Sequence, residues 1–247
     1  MLILAIETAT KVSSVALSDG NKIVAALTME NGPEHSATLV PNIGKLLEMA
    51  GKTRKDLNAV AVSVGPGSFT GLRIGLATAK GLAYALNIPL IAVPTLKALA
   101  ARFYDLPGVT VFSLADAQKK NAYCGIYRDR EEIQPVKVIP LETIVKMAGE
   151  IAEEKKQPVI VLGDIAEKKL SRDEVLPDGV VVPGRGQVMP RADEVALLGA
   201  AMLEAGEVAD TMTAEPWYLR RSEAEELWDI RHPETIGQGD DAKCEMK

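Results

Sequence analysis

The sequence is poor in the side chains that metal binding and nucleophilic catalysis use most. Across 247 residues there are two histidines, His35 and His232, and two cysteines, Cys124 and Cys244. Their positions match no zinc-ligand spacing and no redox pair, and a disulfide framework is not indicated. No Ser-His-Asp or Cys-His set can be assembled from what remains. Positive charge is also in deficit: 28 basic against 34 acidic side chains leave a net charge of −6. Phosphate affinity rests on Lys and Arg neutralising the backbone, so the chain is a poor stand-alone nucleic-acid binder. Long apolar runs are missing too. The opening MLILAIETAT is broken by Glu7, which makes it too short for a signal segment, and it lacks a basic start. Nothing approaches the roughly 18 apolar residues of a membrane span. The expectation is a soluble cytoplasmic protein.

What is present suits a folded core. Hydrophobic residues make up 47% and charged residues 25%, enough for one two-lobed protein or two small domains. Residues 2–6 form a continuous apolar run, expected of a strand buried on both faces. Strands follow at 12–18 and 22–28, joined by the turn Asp19-Gly20-Asn21. Leu39, Val40, Ile43, Leu46, Leu47 and Ala50 recur at helical spacing over 34–51, with Pro41 inside the pattern and Gly51 at its stop. A strand at 58–64, a helix at about 70–86, a strand at 89–93 and a helix at 95–103 complete the order βββαβαβα. That order means a mixed sheet with helices packed on it. It is also the lobe order of the actin/sugar-kinase/Hsp70 (ASKHA) superfamily. Strands at 109–115, 121–128, 135–139, 158–162 and 180–182 and helices at 141–155 and 191–206 follow, without an internal sequence repeat. The organisation expected is an N-terminal lobe over 1–103, with the helix near 191–206 packing back on it, a smaller lobe over 104–232, and a flexible tail over 233–247.

The densest motif is GPGSFTGLRIGLATAKGLAYAL, residues 65–86. A Gly-rich loop before a helix can cradle phosphate. Here Leu72 stands where a P-loop needs Lys, and the spacing is not G-x-G-x-x-G either. The loop therefore reads as a tight strand exit, with Ser68 or Thr70 as the helix cap. Gly71, Gly75 and Ala79 then form a row of small residues, continued by Ala83. A helix glycine costs about 0.5–1 kcal/mol relative to Ala, so the row asks for a packing reason. Close approach to the chain's own sheet and close approach of another helix fit it equally. After the first strand, Glu7-Thr8-Ala9-Thr10 stands where ASKHA ATPases hold a phosphate hairpin, but without the glycine. The matching stretch Leu114 to Asn121 has no glycine either, so independent ATPase activity is not expected. His35, between Glu34 and Ser36, reads as a surface or interface residue at a helix start rather than as a catalyst.

LAIETAT, EHSATLVPNI, VSVGPGSFTGLRIGLATAKGLAYAL and PWYLRRSEAEELW together resemble the TsaB (YeaZ) family, over nearly the whole chain up to about residue 234. GPGSFTGLRIG is the most specific block. The resemblance implies the non-catalytic subunit of the bacterial machinery that makes N6-threonylcarbamoyladenosine in tRNA. Its expected partner is TsaD, the catalytic glycoprotease-like subunit, which binds metal through H-x-x-x-H after the fifth strand. Thr95 and Leu99 fall at those two positions here, and neither can replace imidazole on a transition metal. ATP and metal are expected on partner subunits and none in this chain. TsaE, an ATPase, is a further expected partner, and tRNA is contacted only indirectly. TsaB-type proteins pair with TsaD, and with themselves, through the first two helices of the N-terminal lobe. The resemblance thus assigns partner binding to His35, Leu39 and Ile43 on one helix and to Gly71, Arg73, Gly75, Thr78, Ala79 and Leu82 on the other. It also tips the small-residue row towards an external helix. The alternatives are a glycoprotease-type metallopeptidase and an ATP-binding switch.

Overall fold

A computed structural model describes residues 1–30, 35–170 and 176–219. Met1–Trp217 form one compact unit that holds two five-stranded sheets, and a second unit begins at Tyr218. β1 (Leu2–Glu7) is buried at every position because it is the central strand of the first sheet, covered on both faces. β2 (Val12–Asp19) and β3 (Lys22–Glu30) run antiparallel beside it. After α1 (His35–Met49), β4 (Ala59–Gly65) pairs parallel with β1. α2 (Phe69–Leu86) then leads to β5 (Leu90–Pro94), parallel to β4. The order β3-β2-β1-β4-β5 is the mixed sheet expected from the element order. Pro41 lies inside α1, which continues through it.

α3 (Thr95–Ala101) leads out to the second sheet. β6 (Thr110–Asp116), β7 (Asn121–Arg128) and β8 (Glu131–Pro140) form an antiparallel meander. α4 (Leu141–Lys155) precedes β9 (Val159–Leu162), which pairs parallel with β6. α5 (Asp164–Lys169) precedes the short β10 (Val180–Val181), parallel to β9. The order β10-β9-β6-β7-β8 repeats the plan of the first sheet: three antiparallel strands, then two parallel strands on the far side of the first. No sequence repeat accompanies this duplication. The result is a two-lobed α/β fold of the actin/sugar-kinase type.

α6 (Arg185–Val188) and α7 (Ala192–Glu204) bring the chain back to the first sheet. Side chains alternate across the sheet, so its two faces carry separate cores. Leu4, Ile6, Val15, Val60 and Val62 face Leu39, Ile43, Leu46 and Leu76 of α1 and α2. On the other face Ile3, Ala5, Ala61 and Val93 meet Val195, Ala196 and Ala200 of α7. The Ala192 amide at the start of α7 donates to Ser14 Oγ at 2.8 Å, which fixes the helix end on β2. α3 packs on β4 and β5 and also on β6 and β7, so it lies between the lobes. A final segment seals the edge of the first sheet. The Ala209 amide donates to the Leu90 carbonyl at 2.8 Å, and the Trp217 amide to the Val64 carbonyl at 2.7 Å.

Two short helices, α5 and α6, are not expected from the sequence, and β8 is longer than the 135–139 expected. The β6–β7 turn also departs from expectation. Gln118, Lys119 and Lys120 all adopt positive φ, at 62°, 49° and 65°, although none is glycine. The Asp116 carboxylate holds the turn by accepting the Gln118 N–H at 2.7 Å. This glycine-free turn is therefore left-handed all the same.

Candidate functional site

The loop leaving β4 is built around the β1–β2 turn. Ser68 Oγ accepts the Gly71 N–H at 3.3 Å and so caps α2. The Ser68 N–H donates to the Ala9 carbonyl at 2.7 Å, and the Gly65 N–H to Thr95 Oγ1 at 3.0 Å. Thr8 Oγ1 donates to the Gly71 carbonyl at 2.8 Å. The amides of Gly65, Ser68 and Gly71, which a phosphate cradle would use, are thus committed within the chain. The glycines permit this closeness. A Cβ on Gly67 would lie 2.6 Å from the Ala9 carbonyl oxygen, one on Gly71 2.0 Å from the Thr8 carbonyl oxygen, and one on Gly75 2.2 Å from Thr8 Oγ1. The row Gly71, Gly75, Ala79 is buried, and its packing reason is this chain's own Thr8 turn and β1. The expectation that an external helix required this row is corrected on that point.

Glu7 closes the same turn from below. Its Oε1 accepts the Ala9 N–H at 2.5 Å, while its Oε2 and Ser63 Oγ are buried without a formed hydrogen bond. Burial pushes Glu7 up to about 7, against the Ala9 amide, the nearby Ser63 hydroxyl and the Thr8 amide, which favour the carboxylate. Such a value suits proton transfer, but Glu7 is 0% exposed and out of reach of any substrate. Thr95 is 2% exposed and occupied by the Gly65 amide, and Leu99 is 1% exposed in the core. Among the described residues, no three or more His, Cys, Asp or Glu side chains come together as a metal site. No helix among them is long and apolar enough to cross a membrane.

The helices α1 and α2 lie side by side and turn their inner faces to the sheet. Leu39 and Ile43 of α1 are buried there, as are Gly71, Gly75 and Ala79 of α2. These five side chains and positions are spent inside and present nothing outward. Thr78 and Leu82 are half-buried, and Thr78 Oγ1 donates to the Ile74 carbonyl at 2.9 Å. Arg73 is exposed and stacks its guanidinium over Phe69, 3.8 Å from the ring centroid. His35 is the first residue of α1, and its side chain lies outside the described residues, as do His232, Cys244 and the block from Arg220 onward.

The outward face is made by Arg73 together with residues that were not among those expected. On α1 the exposed positions are Ala37, Val40, Pro41, Gly44, Lys45, Glu48 and Met49, with Val40 61% and Met49 62% exposed. On α2 it carries Ala77, Gly81, Ala85 and Tyr84, the last 73% exposed. A Cβ on Gly44 or Gly81 would meet nothing within 4 Å. Ala77, Gly81 and Ala85 form a second small-residue row, about 120° round the helix from the first and facing out. Small residues at i, i+4 and i+8 let another helix backbone approach closely, and isolated large apolar side chains beside them supply area to bury. The signal for this face was in the sequence at the same spacing as the inner row. What separates the two is burial in the fold, since both rows have leucines beside them, Leu72 and Leu76 at the inner one and Leu82 and Leu86 at the outer.

A family model described as TsaD: tRNA N6-adenosine threonylcarbamoyltransferase matches residues 29–228. The tRNA threonylcarbamoyladenosine biosynthesis protein TsaB of Bacillus subtilis is 33% identical over 230 residues, 92% of this chain and 98% of its own length. The TsaB protein of Escherichia coli is 33% identical over 234 residues, 91% of this chain and 96% of its own. Among solved structures, YeaZ from Pseudomonas aeruginosa superposes with a TM-score of 0.71 at 27% identity, covering 88% of this chain and 99% of that one.

Proposed function

The chain belongs to the TsaB (YeaZ) family of tRNA threonylcarbamoyladenosine biosynthesis proteins, and from that membership we propose that it docks a TsaD-type catalytic subunit on the outer face of α1 and α2. Its function is that of a non-catalytic partner of TsaD in making threonylcarbamoyladenosine in tRNA. The family model that matches it is named for the transferase. At the positions aligned with the transferase's metal-binding histidines, this chain carries a buried Thr95 and a buried Leu99. Neither offers the imidazole nitrogen that a transition-metal site of this kind uses.

The observation that carries the docking reading is the outer face itself. Val40 and Tyr84 are each more than half exposed, beside open space at Gly44 and Gly81. Large apolar groups beside a smooth helix row give the backbone of a partner helix both room to approach and area to bury. The same face is also where a second copy of the chain would pair when TsaD is absent. A TsaE-type ATPase joins the assembled complex, and tRNA is held by the other subunits, in keeping with the net charge of −6. The whole assembly works in the cytoplasm.

Co-purification with a TsaD-type subunit tests the reading. Val40→Asp and Gly81→Leu should each weaken the complex by at least about 30-fold, the scale of a hot-spot loss, without lowering thermal stability. Unchanged affinity in both variants would overturn the assignment of this face.

A further inference from the structure

The chain passes between the lobes twice, outward after α3 and back between α6 and α7. Both passages meet at one side chain. Arg102, the residue that ends α3, donates through Nη1 to the Gln187 carbonyl at 2.5 Å and through Nη2 to the Met189 carbonyl at 3.4 Å. Its Nε donates to Glu194 Oε1 at 2.7 Å, and its Nη2 lies 2.6 Å from the same oxygen. The pair is largely shielded, with 17% of the Arg102 side chain and 11% of the Glu194 side chain exposed. Glu194 Oε2 is buried without a hydrogen-bond partner. Burial, with Asp193 beside it, pushes Glu194 up to about 8 against the pull of Arg102, so the guanidinium is what holds this carboxyl in place.

The pattern along the return passage is alternating. The Val188 carbonyl, between the two carbonyls that Arg102 grips, accepts the Gly163 amide of the second lobe at 2.9 Å. A few residues on, the Ala192 amide is fixed to Ser14 of the first lobe. The stretch from Gln187 to Glu194 is thus pinned to one lobe at Val188 and to the other at Ala192, with Arg102 bridging the interval. A planar guanidinium presents several donors in a fixed fork, which is what gripping two carbonyls and a carboxylate at once requires.

We propose that Arg102 is a latch that fixes the angle between the two lobes by tying the outgoing passage to the returning one. Each lobe has its own core, so loss of the latch leaves both folded and frees the joint. Hydrogen exchange on the full chain reads this directly. Arg102→Met should raise exchange by at least about tenfold in residues 102–109 and 187–193, with α1, α2 and β4 unchanged. A spin-label pair, one label on each lobe, should show a broadened distance distribution. Arg102→Lys, a point charge that cannot span the three acceptors, should fall between the two. Glu194→Gln keeps an acceptor and should loosen the joint less than Arg102→Met does. Unchanged exchange in both passages would overturn the proposal. So would a uniform rise across the chain, which would make Arg102 a general stabiliser. Should Arg102→Met fail to fold, Arg102→Lys gives the same two readouts and separates the same outcomes.

Discussion

Gly75 and Gly81 sit in one helix, six residues apart in sequence and about 120° apart around it, and replacing each by Ala separates the two small-residue rows. At Gly81 the new methyl meets nothing within 4 Å. Only the backbone effect remains, and Gly81→Ala should stabilise the protein by about 0.5–1 kcal/mol. At Gly75 the same backbone gain is opposed. The methyl carbon would lie 2.2 Å from Thr8 Oγ1, which is buried and hydrogen-bonded to the Gly71 carbonyl at 2.8 Å. Overpacking of this kind costs about 1–3 kcal/mol, and a hydroxyl pushed off its buried partner about 1–3 kcal/mol more. The net loss is about 1–5 kcal/mol after the helix gain, with a centre of about 3 kcal/mol. With about 2–4 °C per kcal/mol for a chain of this size, Gly75→Ala should lower Tm by roughly 5–15 °C and Gly81→Ala should raise it by roughly 1–4 °C. Thermal and urea melts followed by circular dichroism give both numbers. Thr8→Ala in the Gly75→Ala background should recover part of the loss, since the overlapping atom is gone, and the two changes should be non-additive. A Gly75→Ala variant as stable as the parent would refute the internal packing of the row. A destabilised Gly81→Ala would refute the outward assignment of the second.

Glu7 predicts a pH dependence. Its folded value is raised from 4.5 to about 7, so the native state binds the proton more tightly than the unfolded chain. The contribution is complete below about pH 4.5 and is lost as pH rises through 7, a swing of about 3 kcal/mol at most. Urea titrations from pH 5 to 8 should show Glu7→Gln with a flatter profile than the parent, and parallel profiles would dispose of the idea. Ser14→Ala removes the acceptor for the Ala192 amide at the head of α7, and should cost about 1 kcal/mol in the same titration at fixed pH.

Much of the fold could be read from residue patterns, for identifiable reasons. β1 was legible because a central strand buried on both faces must be apolar throughout. α2 was legible from its capping serine, its helical spacing and the Asn87 that ends it in a left-handed conformation at φ 51°. α5 and α6 were not, since six and four residues are too few to display a period. The duplication of the sheet was hidden because topology can be kept after sequence similarity is lost. At the docking face the pattern was visible but its sign was not. Leu39 and Ile43 belong to the stripe that makes α1 amphipathic, and such a stripe is normally buried. On α2, Gly71-Gly75-Ala79 and Ala77-Gly81-Ala85 have the same spacing and both have leucines beside them, so the pattern alone does not say which is the inner one. A residue such as Val40, counted with the apolar stripe by spacing, lies at its edge and is 61% exposed.

The position of α7 in the chain constrains how the protein is made. Ala192, Val195, Ala196 and Ala200 cover the face of the first sheet that Ile3, Ala5, Ala61 and Val93 line. During synthesis that face has no cover until the ribosome has delivered the whole second lobe and then Ala192–Glu204. The lobe begun first is finished last, and the nascent sheet waits with its apolar side bare. A fragment ending near residue 103 keeps this exposed face permanently, so it would cling to chaperones or to itself. The two lobes are therefore distinct in architecture but cannot be cut apart at a single point in the sequence.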